Sequence, residues 1–223
     1  MIQKIADFSA DTPSEDDSLF ERIACGVESR GYVILPTALP GPVGDGLLQY
    51  LSLLEEERFH QARIGRGIEQ TRNQFIRRDQ IVWMDSLHPE ACTWYNWTAR
   101  LKTYLNRRLF LGLFSFESHF ARYHSGDFYK KHLDAFRGES NRVLTLVTYL
   151  NRGWEPGQGG ELVLYAPDEG AEITRVVPTF GTLVIFLSEE FPHEVLAADR
   201  DRYSVAGWFR VNGSINQQID PPR

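Results

Sequence analysis

Val143-Leu144-Thr145-Leu146-Val147-Thr148-Tyr149-Leu150 is the run that decides how this chain folds. It is rich in β-branched and apolar residues, with the turn-forming sequences RGES before it and EPGQGG after, so it reads as a strand. Further runs of this kind lie beyond Leu111, at 115–123, 161–165, 182–187 and 203–211, and HSGD, APDEG and PTFG supply the other turns. Upstream the periodicity is helical. Leu19, Phe20, Ile23, Ala24 and Val27 recur at helical spacing over 17–30, and Gly31 ends the pattern. A second amphipathic helix is expected over 47–59, and a third over 89–109, carrying Trp94, Trp97, Leu101 and Leu105. Tyr32 to Leu35 reads as a short strand and TALPGPVGDG as a loop. The polar, arginine-rich stretch at about 60–75, with Gly65 and Gly67, reads as a mobile loop or hairpin tip. Helices first and regularly spaced strands after indicate an α+β fold with a sandwich or jelly roll at its C-terminal end.

At 223 residues the chain fills one domain, 1–223, with a helical and strand part over about 14–114 and a core over about 115–212. A hydrophobic share of 42% is that of a globular protein and excludes a disordered one. The net charge, 24 − 30 = −6, argues against nucleic acid as a partner, although Arg63, Arg66, Arg72, Arg77 and Arg78 form a local basic cluster. Cys25 and Cys92 stand in different expected helices and read as buried free thiols in a reducing compartment. No apolar run approaches the roughly 20 residues that span a bilayer. The N-terminal stretch turns acidic without an apolar leader, so the cytoplasm is expected, and an acidic chain without a large exposed apolar stripe is expected to be a monomer.

Chemistry concentrates in a few residues. In a strand, residues two apart project to one side, so His132-Leu133-Asp134 places an imidazole and a carboxylate together. His193, within Phe191-Pro192-His193-Glu194-Val195, offers a third ligand. Two histidines and a carboxylate make the facial triad of non-haem iron oxygenases, which leaves three coordination positions open. H-x-D alone arises by chance in many proteins. Nine residues on, however, Arg202 opens Arg202-Tyr203-Ser204-Val205-Ala206-Gly207-Trp208-Phe209, an alternating run that reads as a buried strand. An inward guanidinium at its start suits the distal carboxylate of a 2-oxo acid, whereas Arg200 fits an exposed charged loop. Gly159-Gly160-Glu161-Leu162, taken alone, reads as a plain hairpin turn.

H-x-D, G-G-E-L, P-H-E-V and R-Y-S-V-x-G-W-F, in this order, closely resemble the 2-oxoglutarate oxygenase superfamily, and within it the prolyl hydroxylases of the hypoxia-inducible-factor type and their bacterial relatives. Tyr149-Leu150-Asn151 with Trp154, the segment from Ile76 to Trp83, and Arg30-Gly31-Tyr32 extend the resemblance to about 20–212. It implies a double-stranded β-helix core supported by N-terminal helices. It also implies Fe(II) held by His132, Asp134 and His193, with 2-oxoglutarate and O2 as cosubstrates and ascorbate as reductant. Arg202 and Tyr149 would hold the 2-oxoglutarate carboxylate, with Tyr123 beside it and Leu162, Val195 and Trp208 lining the pocket. Tyr129, Arg142, Asp79, Trp83 and Arg77 fall where the family meets its protein substrate. Read from the residues alone, Tyr123, Trp83 and Trp208 are equally core aromatics, and Arg142 and Asp79 surface charges.

The implied reaction is hydroxylation of a prolyl residue in a protein, with elongation factor Tu the first candidate by analogy with bacterial relatives. Other readings are oxidation of another side chain or a small metabolite, a non-catalytic jelly-roll binding module, or a zinc hydrolase. The last two leave the full set of four residues, or Arg202 and Tyr149, without a purpose. His119 stands where the animal enzymes carry a small apolar pocket residue, and INQQIDPPR follows the last core strand where those enzymes carry a longer helix, so a different protein substrate is expected.

Overall fold

In the computed structural model the described residues are 15–62, 76–135, 141–168 and 170–212, with the backbone of 214–215 and 218–219. Helix α1 (Glu15–Arg30) buries Leu19, Phe20, Ile23, Ala24 and Val27 on one face. Its acidic first turn and Arg30 in the last turn both suit the helix dipole. Gly31, at φ 76, turns the chain at once into β1 (Tyr32–Leu35). A side chain there would lie 2.7 Å from the Phe191 ring.

The second helix departs from expectation. Helix α2 runs Gly41–Leu53, so half of the proline- and glycine-rich loop is helical and the helix stops before Phe59. Proline in the first turn costs nothing, because the N–H it lacks has no partner there. Burial of Val43, Gly44, Leu47 and Tyr50 then decides the conformation. At the far end Glu55, Glu56 and Glu57 would crowd the negative pole of a longer helix; the chain instead makes a 3-10 turn, Glu56–Arg58. It continues as β2 (His60–Gln61), and the rest of the expected arginine-rich loop, 63–75, lies outside the described residues. Strand β3 (Gln80–Trp83) leads through a 3-10 turn, Pro89–Ala91, into α3 (Cys92–Leu109). Cys25 and Cys92 are free thiols but exposed, contrary to expectation, because α1 and α3 turn other residues to the core.

The strands that follow are β4 (Leu113–Tyr123), β5 (Tyr129–His132), β6 (Arg142–Tyr149), β7 (Leu162–Tyr165), β8 (Glu172–Val176), β9 (Leu183–Leu187), β10 (His193–Val195) and β11 (Arg202–Val211). Two short ones, β12 (Ser214–Ile215) and β13 (Gln218–Ile219), pair with each other. A seven-stranded sheet has the order β1-β9-β6-β11-β4-β3-β2, and a four-stranded one β5-β10-β7-β8. All these strand pairs are antiparallel. The sheets face each other across Val147, Tyr149, Leu162, Leu164, Val184 and Phe186, a jelly-roll arrangement in an α+β fold. The helices cover the other face of the large sheet, packing Trp94, Trp97 and Leu101 on Phe120, Leu146, Val205 and Phe209. Among the described residues no helix is long and apolar enough to cross a membrane.

Strand β11 has a partner on both edges, and Gly207 sits opposite Ser118 and Leu146. A Cβ there would lie 2.5 Å from the Phe116 ring and 2.9 Å from the Glu117 carbonyl oxygen. Gly207→Ala is therefore expected to cost about 1–3 kcal/mol, seen in calorimetry as a Tm several degrees lower; an unchanged Tm would mean that Phe116 moves aside freely.

Candidate active site

His132 ends β5, Asp134 lies in the turn two residues on, and His193 opens β10 directly opposite His132. Their ligand atoms all lie within 4.8 Å of one another. Nε2 of His132 is 3.6 Å from Asp134 Oδ1, and Nε2 of His193 is 3.6 Å from Asp134 Oδ2. Each ring has its Nδ1 against a backbone carbonyl, Lys130 at 2.8 Å and Phe191 at 3.1 Å. A proton on Nδ1 donates to that carbonyl and leaves the Nε2 lone pair turned inward, as a metal ligand requires. The Thr145 hydroxyl donates to Asp134 Oδ2 at 2.7 Å and lies 2.9 Å from the Ser188 hydroxyl. Burial, reinforced by His132, pushes His193 down to about 4, so this ring is neutral at pH 7. Burial alone would raise the Asp134 carboxyl, yet the two histidines and Thr145 hold it well below the usual range. Two imidazoles and one ionised carboxylate on a single small volume form a donor set that fits an iron(II) ion.

The His132 ring stacks on Tyr129 at 3.5 Å, and the Arg77 guanidinium lies 4.2 Å from the Tyr129 centroid. Arg77 is clamped by Asp79 through two hydrogen bonds, 2.7 and 2.6 Å. Asp79 is only 1% exposed, so the surface-charge reading of this residue fails.

Arg202 opens β11 and is also 1% exposed. Its Nε donates to the Gly160 carbonyl at 2.9 Å and its Nη1 to the Ser204 hydroxyl at 3.1 Å. No carboxylate among the described residues is within ion-pair distance of it; Arg200, by contrast, is exposed in its loop. The Tyr123 and Tyr149 rings flank the guanidinium, with centroids at 4.8 and 5.0 Å. Burial pushes the Tyr149 phenol up to about 12 against the opposing pull of the adjacent Arg202 guanidinium, and its hydroxyl has no hydrogen-bond partner of good geometry. A buried cation without a counter-ion beside a partnerless hydroxyl is costly unless an anion binds there. Gly159 and Gly160 do more than make a turn: both have positive φ, and a Cβ on Gly160 would crowd Arg202 Cδ at 3.2 Å. Leu162 and Val195 are buried, packed in the groups that contain Tyr149 and Tyr123 respectively.

Toward the other end of the inner face, Trp208 is buried beneath the Arg142 guanidinium at 3.7 Å, and Trp83 is 50% exposed. Arg142 and Arg210 both donate to Glu117, at 2.9 and 3.1 Å. Sequence reading missed Thr145, Ser188 and Glu117, and it singled out Gly160 only as part of the G-G-E-L motif, without its contact to Arg202. Of the three missed, Thr145 left a signal, since it lies four residues before Tyr149 in one strand and so on the same face.

Residues 118–210 match the family described as the 2OG-Fe(II) oxygenase superfamily. A crystal structure of a Pseudomonas putida prolyl-4-hydroxylase superposes with a TM-score of 0.77 at 36% identity, covering 87% of this chain and all of that one. The chain belongs to the 2OG-Fe(II) oxygenase superfamily. This oxygenase superposes equally well, TM-score 0.77 at 25% identity over 88% and 90% of the two chains, on a Trichoplax adhaerens prolyl hydroxylase in complex with a hypoxia inducible factor peptide. Mouse prolyl hydroxylase EGLN3 is 27% identical over 195 residues, 80% of this chain and 78% of that protein. The match to rat Egl nine homolog 1, 31% identical, spans a quarter (25%) of that longer protein. The oxygenase's cofactor is Fe(II), with 2-oxoglutarate as cosubstrate.

Arg77→Ala would leave the Asp79 carboxylate buried and unpaired. It should destabilise the oxygenase by about 3–5 kcal/mol in urea unfolding; a loss below about 1 kcal/mol would show that water reaches Asp79.

Proposed function

We propose that this oxygenase hydroxylates a prolyl residue in a polypeptide, with iron held by His132, Asp134 and His193 and the distal carboxylate of 2-oxoglutarate held by Arg202 and Tyr149. The observation that carries the reading is the buried Arg202 guanidinium, which has no acidic partner among the described residues and stands beside the partnerless Tyr149 hydroxyl. A dicarboxylate would satisfy both at once. Bound together, iron, 2-oxoglutarate and O2 supply the oxidising power: the cosubstrate becomes succinate and CO2, and one oxygen atom enters a substrate C–H bond. The chain's own part is orientation and exclusion of water. Thr145 fixes the Asp134 carboxylate, the Lys130 and Phe191 carbonyls fix the imidazoles, and Leu162 and Val195 keep the cosubstrate end dry.

The choice of a prolyl substrate rests on the relatives, which carry the name prolyl hydroxylase, one over the whole of its own chain at 36% identity. Tyr129, Arg77, Trp83 and Arg142 would form the protein-facing side, with Asp79 holding Arg77 from beneath, and Trp208, expected in the cosubstrate pocket, would join them because it lies under Arg142. Elongation factor Tu is the first partner to try, met by a monomeric enzyme in the cytoplasm. Incubation with Fe(II), 2-oxoglutarate, air and elongation factor Tu should add one oxygen to a proline, detected by mass spectrometry, and Asp134→Ala should abolish it. Succinate formed without oxygen in the protein would redirect the search to another side chain or a metabolite.

Arg202→Ala should weaken 2-oxoglutarate binding at least roughly thirtyfold, measured anaerobically by calorimetry; parental affinity would sink its assigned role. Tyr149→Phe should weaken it by roughly three- to tenfold while leaving the Tm of the ligand-free protein unchanged or higher. A Tm lowered by several degrees would instead make that hydroxyl structural.

A further inference from the structure

Five buried side-chain atoms lack a hydrogen-bond partner among the described residues: Trp97 Nε1, His119 Nδ1, Thr148 Oγ1, the Tyr149 hydroxyl and Trp208 Nε1. Two face the helices. Trp97 packs on Phe20 and Trp94, and Thr148 lies between Leu183 and Val205 of the helix-side core. The other three face the space between the sheets, and 2-oxoglutarate accounts for Tyr149. His119 and Trp208 remain.

They form one cluster. Their ring centroids are 5.3 Å apart, and Trp83 caps both, at 5.1 Å from His119 and 6.2 Å from Trp208. His119 is 5% exposed and Trp208 6%, against 50% for Trp83. Trp208 stands opposite Thr145, whose hydroxyl holds Asp134, so the cluster adjoins the triad. A buried polar atom with no partner costs about 1–3 kcal/mol. An apolar side chain at 119 would remove that cost, so a histidine there indicates a ligand. Burial first, then the Arg77 and Arg142 charges, push His119 down to about 3, so the ring is neutral, and with its proton on Nε2 the buried Nδ1 is an acceptor. An indole N–H only donates. A neighbouring acceptor and donor match the N–H and carbonyl of a peptide backbone. Trp83 is half exposed and covers the pair from the solvent side, so turning it aside would open a path to His119 and to the flank of Trp208 that Arg142 does not cover.

We propose that His119 is a specificity-determining residue which, with the Trp208 indole N–H, grips a backbone peptide unit of the substrate beside the residue to be oxidised, after Trp83 turns aside. The proposal rests on the polypeptide reading above and deepens it, because a free amino acid or small metabolite has no peptide unit to offer.

The test uses the full chain with Fe(II) and 2-oxoglutarate on capped pentapeptides with a central proline and randomised flanks, with elongation factor Tu in parallel. His119→Leu is expected to raise the substrate KM about tenfold, with kcat changed by less than about twofold and Tm unchanged or higher. His119→Asn, which puts an amide group at the Nδ1 position, should recover most of the loss. A parental KM in His119→Leu overturns the proposal and leaves the prolyl reading standing. A joint fall in kcat and Tm that His119→Asn does not reverse overturns it too, and makes His119 structural. If the parent forms succinate but oxidises neither probe, the prolyl reading fails and takes this proposal with it.

Discussion

Strand β11 is the constraint on which the rest of the molecule depends. It lies between β4 and β6 with hydrogen-bonded partners on both edges, so its register fixes that of the whole seven-stranded sheet. Alternation then assigns each side chain a task. Val205 and Phe209 go to the helix-side core, while Arg202, Ser204, Ala206 and Trp208 line the space between the sheets. A slip of one residue would exchange the two sets, sending a guanidinium into the helix packing. The binding end and the hydrophobic core are thus specified by one set of backbone hydrogen bonds.

Charge is distributed along the inner face with equal economy. Arg77 is neutralised by Asp79, and Glu117 serves both Arg142 and Arg210. Arg202 has no such partner among the described residues, although it is as buried as Asp79. Among the described residues, the buried cation without an acidic partner on this face is thus Arg202, at the far end of the strand that also carries Trp208. The triad at Asp134 reaches the same sheet through Thr145.

Much of this was legible in the sequence, and what was not has physical reasons. The strands recognised were long apolar runs such as β6 and β11, whose burial imposes a composition. Strand β8, EITRV, is too short and too polar to announce itself, and β5, YKKH, was read only through the His132 motif and ends there, with Asp134 already in the turn. Helix α2 was misplaced because local turn chemistry and tertiary burial disagree over Gly41 to Gly46, and burial wins. His132, Asp134, His193 and Arg202 were visible because motif spacing is local. The Ser188–Thr145–Asp134 chain was invisible, since Thr145 and Ser188 meet across 43 residues of sequence. Asp79 looked like a surface charge because nothing in its neighbours' composition shows which face of the chain is buried.

That same hydroxyl chain bears on how the Asp134 carboxylate and the two imidazoles come to be aimed. Many small metal-binding domains acquire their shape from the ion, so folding and loading are a single event. Here threonine, serine and two backbone carbonyls already aim the carboxylate and both imidazoles, and a sizeable core holds them there. The arrangement of the three side chains is thus written into hydrogen bonds that the chain makes with itself.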